Sequence, residues 1–139
     1  TGTKILPKQL ASEIPIIIDD KIAYEVTEEA LKKVDLIMVD DDERFMITTT
    51  LMCFPDKIVD QYLNADHFLS NVSKYSKDTS ICLDNRLSDR LGMDVARDLH
   101  EMGYTKLYLL SGDKFSDAEV PQYLTVILKG DFESLKKIC

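Results

Sequence analysis

No apolar run in this sequence approaches the roughly 20 residues that a helix needs to cross a bilayer. The longest candidate, Ile14 to Ile18, runs into Asp19 and Asp20. No secretory signal is visible, and the chain opens at Thr1 rather than Met. It reads as a fragment of a larger protein, with the cytoplasm as its expected location and a parent that could be membrane-anchored. Basic charge is short: 17 Lys and Arg stand against 25 Asp and Glu, for a net charge of −8. Phosphate contacts need a basic patch, so this balance argues against nucleic acid as a partner and favours metal ions and proteins. Cys53, Cys82 and Cys139 form no CxxC pair and have no metal-spaced His nearby. They read as free thiols in a reducing compartment. Internal repeats and low-complexity tracts are also missing.

What is present is ordinary globular material. A length of 139 residues suits one domain with a real core, and 45% apolar with 30% charged residues argues against disorder. Residues 1–33 differ from the rest. Thr1 to Gln9 is polar, and Glu13 to Val26 is β-branched, with Pro15 limiting it to an edge or extended segment. Thr27 to Lys33 reads as one or two helical turns capped by Thr27.

From Val34 the pattern becomes regular. Short stretches at Val34–Val39, Thr79–Leu83, Lys106–Leu110 and Leu124–Leu128 read as strands, with Lys57–Tyr62 as a further candidate. Between them lie helical stretches. Glu43–Cys53 would put Phe45, Thr48 and Met52 on one face. Ala65–Ser76, capped by Asn64, carries the stripe Phe68, Leu69, Val72 and Tyr75. Leu91–Met102 would turn Val95, Leu99 and Met102 inward, with Gly103 ending it. A short helix is expected over Ser116–Val120, stopped by Pro121, and a last one over Phe132–Ile138. Five strands alternating with helices imply a parallel sheet covered on both faces.

In open sheets of this kind, chemistry collects beyond the carboxyl ends of the strands. The first strand ends in Asp40 and Asp41, the third in Asp84, the fourth in Ser111 and the fifth in Lys129. A parallel sheet brings these ends to one edge. Two carboxylates ~4 Å apart repel by about 4 kcal/mol at an effective dielectric of 20. Three together need a cation or raised pKa values. A site rich in oxygen and free of thiol and imidazole suits Mg²⁺. A carboxylate beside such a cation can attack phosphorus and form an acyl phosphate, with the lysine neutralising the phosphoryl oxygens. Each signal alone has a bland reading, since Asp after a strand is usually a turn or a helix cap. Their joint order along the chain is what points to chemistry.

Residues 34–138 resemble the receiver domain of bacterial two-component response regulators. The acidic pair is carried by Val39-Asp40-Asp41-Asp42, and the acceptor strand and loop by Ile81-Cys82-Leu83-Asp84-Asn85-Arg86-Leu87-Ser88-Asp89. Gly92-Met93-Asp94-Val95-Ala96-Arg97 resembles the start of the family's third helix. Leu109-Leu110-Ser111-Gly112 and Ile127-Leu128-Lys129 resemble its switch and lysine strands. The resemblance implies a flavodoxin-like, doubly wound five-stranded parallel sheet of order 2-1-3-4-5. It implies Asp84 as phosphoacceptor, Asp41 as a direct Mg²⁺ ligand and Asp40 as one acting through water. By the same resemblance, Asp84 and the Arg86 backbone carbonyl would complete the metal site, Ser111 would bind and report the phosphoryl group, and Lys129 would pair with Asp84. Arg86 and Asp113 stand where, in that family, residues tune phosphate lifetime. The implied partner is a histidine kinase or histidine phosphotransfer protein. Such a domain catalyses its own phosphorylation and dephosphorylation.

The chain departs from the family pattern in places. Ser88 and Gly130 stand where Pro is usual, and Val126 stands where an aromatic ring often swings inward on phosphorylation. The stretch from Ser111 to Lys129 is short, which implies a stunted fourth helix. At the other end, Thr1-Gly2-Thr3-Lys4-Ile5-Leu6-Pro7-Lys8 resembles the closing strand of a histidine-kinase ATP-binding domain. That would make the parent a hybrid sensor kinase, with residues 1–33 as linker and 34–139 as its receiver. One alternative keeps the fold without phosphorylation, as a pseudo-receiver that only binds protein. A second is a Mg²⁺ phosphohydrolase using Asp40 of the Asp40-x-Asp42 pair, although Glu43 and Arg44 do not continue that motif. A transcriptional regulator fragment is a third.

Overall fold

A computed structural model describes residues 31–139. The elements in chain order are β1 (Leu36–Val39), α1 (Glu43–Cys53), β2 (Val59–Tyr62), α2 (Ala65–Asn71), β3 (Ser80–Asp84), α3 (Gly92–Glu101), β4 (Leu107–Ser111), β5 (Leu124–Leu128) and α4 (Phe132–Leu135). A 3₁₀ turn over Val72–Lys74 continues α2, and another over Asp117–Glu119 lies between β4 and β5. The strands form one parallel sheet in the order β2-β1-β3-β4-β5, a flavodoxin-like α/β fold. The expectations for residues 1–30, including the Thr27 cap and the kinase-like strand, lie outside the described residues. Within the range expected to be helical up to Lys33, the described residues 31–33 hold a bend and a β-bridge from Lys32 to Tyr75 instead. Among the described residues, no helix is long and apolar enough to cross a membrane.

Strand side chains alternate between the two faces of the sheet, and each face has its own core. Ile37, Val39, Ile81, Leu83, Leu107 and Leu109 face α2 and α3, where Phe68, Val72, Val95, Ala96 and Leu99 cover them. Leu36, Met38, Cys82, Leu110 and Ile127 face the other way, against Met46 and Cys53 of α1 and Leu135 of α4. Burial on both sides is why β1 and the Ile81–Leu83 stretch of β3 are apolar without polar alternation, whereas the edge strand β2 carries Asp60 and Gln61. Cys53 and Cys82 are buried and Cys139 is exposed, all as free thiols.

Helix phases differ from expectation in two places. On α1 the buried residues are Met46, Thr49 and Cys53, whereas Met52 is 55% exposed. This helix is apolar nearly all round, so its periodicity does not define a phase and packing chooses one. On α3, Val95 and Leu99 point inward, but Met102 lies beyond the last turn and is exposed. Gly103 follows at φ +102, the left-handed geometry that ends a helix. The last helix is shorter than expected, ending at Leu135 rather than Ile138. The segment before β5 holds only the 3₁₀ turn, as its short length implies.

Candidate metal and acceptor site

The site is built by strand parity. Asp40 follows β1 in phase with Leu36 and Met38, and Asp84 ends β3 in phase with Cys82. Lys129 follows β5 in phase with Ile127. All three therefore lie on the α1/α4 side of the sheet. Register brings the carboxylates level, because Val39 pairs with Leu83, one residue before each of them. Lys129 N donates to Ser111 O at 2.8 Å, which extends the β4–β5 ladder to the lysine.

Asp40, Asp41 and Asp84 each offer a carboxylate oxygen, and these lie within 4.8 Å of one another. Asp40 and Asp84 are buried and Asp41 is exposed, so the cluster opens to solvent on one side. Lys129 Nζ sits 3.3 Å from Asp40 Oδ2 and 3.2 Å from Asp84 Oδ1. Asp40 Oδ1 accepts a hydrogen bond from Asp42 N at 2.8 Å. Asp40 Oδ2 makes no hydrogen bond of good geometry among the described residues, and Lys129 is its one ionic neighbour there. Burial, with the Asp84 charge adding to it, pushes the Asp40 carboxyl up to about 6, despite the opposing Asp42 N–H and Lys129. Burial works against the Lys129 ammonium, but the Asp40 and Asp84 carboxylates outweigh it and raise its pKa.

This arrangement can hold a metal ion. Its donors are all carboxylate oxygens, the choice of hard divalent cations. One buried oxygen is short of partners, and Lys129, the one cation paired with them among the described residues, leaves the three carboxylates with excess negative charge.

Three further features hold the frame. Asp42 caps α1, its Oδ1 accepting from Phe45 N at 3.1 Å. Gly92 opens α3 against the end of β3, its N donating to Asn85 O at 2.8 Å. A Cβ there would collide with the Asp84 backbone carbonyl and the Leu109 side chain. The loop between β3 and α3 is pinned elsewhere as well. Asp89 accepts from Ala65 N at 3.1 Å and Asp66 N at 2.8 Å, at the start of α2.

The remaining candidates sit at the same sheet edge with other contacts. Ser111 is buried at the end of β4, and its Oγ accepts from Asp113 N at 3.0 Å. The Arg86 side chain is exposed and meets the exposed Asp113 at 3.6 Å, joining the loops after β3 and β4. Val126 is half-buried against the α2/α3 core. Gly130 adopts φ +95 just after the lysine, a turn that favours glycine. Sequence reading missed the place of Phe45 in the site, where its ring centroid lies 4.7 Å from Lys129 Nζ. Its only signal was an aromatic in the first turn of the helix that follows the acidic pair. Compared with protein-family models, curated proteins and solved structures, the chain matches none.

Proposed function

We propose that this chain is a phosphoacceptor receiver domain in a two-component phosphorelay, with Asp84 as acceptor. The observation that carries the reading is the convergence of Asp40, Asp41 and Asp84 with Lys129 at the carboxyl edge of a parallel sheet. In the step, an Asp84 carboxylate oxygen forms a bond to phosphorus as the P–N bond of a phosphohistidine breaks. The electron pair leaves on the imidazole nitrogen, which takes a proton from solvent. Lys129 moves from the carboxylates to the phosphoryl oxygens and neutralises part of their charge. Asp40, Asp41 and Asp84 would hold Mg²⁺, with the Arg86 carbonyl as a further ligand, and the bound ion supplies the remaining charge neutralisation. Ser111 would exchange its local contact with Asp113 for the phosphoryl group.

The proposed donor is a histidine kinase or a histidine phosphotransfer protein. Helix α1 begins beside Asp40 and Asp41 and exposes Ile47, Leu51 and Met52. A protein that brings a phosphohistidine to Asp84 would cover this apolar strip.

The test is intact mass after incubation with acetyl phosphate, with and without Mg²⁺, beside an Asp84→Asn variant. A gain of one phosphoryl group (~80 Da) that needs both Mg²⁺ and Asp84 supports the reading. A folded wild type that gains nothing from acetyl phosphate or from a phosphorylated kinase favours the protein-binding pseudo-receiver. Phosphorylation that persists in Asp84→Asn and maps to Asp40 favours the phosphohydrolase.

A further inference from the structure

Lys129 is held loosely by its carboxylates. Charge-assisted N–H···O contacts close to about 2.7–2.9 Å when they clamp a cation. The distances here are 3.3 Å to Asp40 and 3.2 Å to Asp84. The side chain keeps 29% of its surface exposed, so a flexible four-carbon stem has solvent open to it. The third side of the ammonium is occupied by an aromatic ring. Phe45 presents its ring with the centroid 4.7 Å from Lys129 Nζ, within the ~6 Å range of a cation–π contact. The ring is itself fixed. Phe45 N donates to the Asp42 cap at the start of α1, and its half-buried side chain packs on the α1/α4 core.

We propose that Phe45 is a positioning residue that keeps the Lys129 ammonium over the Asp40–Asp84 pair, ready for an anion arriving on Asp84. This rests on the receiver reading above. A ring suits the task better than a fourth carboxylate. It attracts the cation without adding charge to an already acidic cluster, and it accepts no proton. It also binds weakly enough that Lys129 can shift toward phosphoryl oxygens while staying under the ring. Removing the ring lets the lysine spend part of its time in solvent, and the reactive arrangement is then populated less.

The experiment compares Phe45→Leu, which keeps apolar bulk without a π face, with Phe45→Tyr, which keeps the ring. Phosphorylation of Asp84 by acetyl phosphate is followed by intact mass at saturating Mg²⁺. Phe45→Leu should react about two- to fivefold more slowly, and Phe45→Tyr should match wild type. A second readout needs no phosphorylation: the Lys129 ε-methylene protons in NMR spectra of the full chain. Ring current should shift them upfield in wild type and Phe45→Tyr, and the shift should vanish in Phe45→Leu. The proposal is overturned if Phe45→Leu reacts at the wild-type rate, if Phe45→Tyr is as slow as Phe45→Leu, or if a slower Phe45→Leu leaves the Lys129 resonances unmoved. If wild type takes no phosphoryl group, the receiver reading fails separately. The NMR comparison then decides the hold on Lys129 alone: a shift lost in Phe45→Leu upholds it, and no shift in wild type overturns it.

Discussion

Asp40→Asn should make the metal-free domain more stable at neutral pH, although it deletes a buried charge that faces a lysine. The Asp40 carboxyl is 1% exposed and lies beside the Asp84 carboxylate. Burial comes first and the neighbouring charge adds to it, raising the group from its ordinary 3.8 to about 6. That rise is equivalent to about 3 kcal/mol of penalty on the ionised native state. The folded state then holds a proton that the unfolded chain has released between pH 3.8 and about 6. Stability from this group is therefore present below the window and lost as pH rises through it. Asparagine keeps the shape and never ionises. Its advantage over wild type should be near zero at pH 4 and reach about 3 kcal/mol above pH 7, while carboxylates remote from residue 40 cancel in the comparison. Urea unfolding in EDTA measures this. With an m-value of about 1.5 kcal/mol per M, the two midpoints should separate by about 2 M at pH 7.5. Saturating Mg²⁺ should raise wild type selectively, by about 2.7 kcal/mol at a hundred times its dissociation constant. An asparagine variant no more stable than wild type at pH 7.5, or an advantage that persists unchanged at pH 4, would refute the reasoning.

Other perturbations follow from the same geometry. Lys129→Met leaves Asp40 and Asp84 buried without their cation and should cost about 3 kcal/mol at pH 7.5, less at pH 5 where Asp40 takes up a proton; urea unfolding at both pH values checks it. Gly92→Ala forces a methyl group against the Asp84 carbonyl and Leu109, so it should cost about 1–3 kcal/mol in thermal unfolding and weaken divalent-ion binding in calorimetric titration. Asp89→Ala removes two acceptors from the start of α2 while Asn64 still caps it, and should lower stability by about 1 kcal/mol in urea. Arg86→Ala breaks only an exposed 3.6 Å pair and should change stability by less than about 0.5 kcal/mol.

Much of the architecture was legible because both faces of the sheet are buried. Continuous apolar runs such as Leu36–Val39 and Ile81–Leu83 then mark strands with little ambiguity. The Asn64 cap and the Gly103 stop were readable because they act on their immediate neighbours. Helix phase was less legible. On α1, Phe45, Met46, Ile47, Leu51 and Met52 spread apolar surface around the whole cylinder, and the packed face lay one residue away from the expected one. Met102 failed for a different reason. It continues the period of Val95 and Leu99 but falls after the helix has ended.

That Asp40, Asp84 and Lys129 would meet was readable from their places along the chain. Each follows or ends a buried strand, and a parallel sheet leaves such residues at one edge. The two-residue period of a strand then assigns each to a face. Ser111 was equally well placed along the chain, but its contact with Asp113 is a matter of loop geometry. The distances, the raised Asp40 carboxyl and the identity of the ring over Lys129 come from packing alone. Local periodicity says which face of an element is apolar. How closely residues 45 and 129 approach depends on helix phase and sheet register together, and those are set by packing across the whole chain.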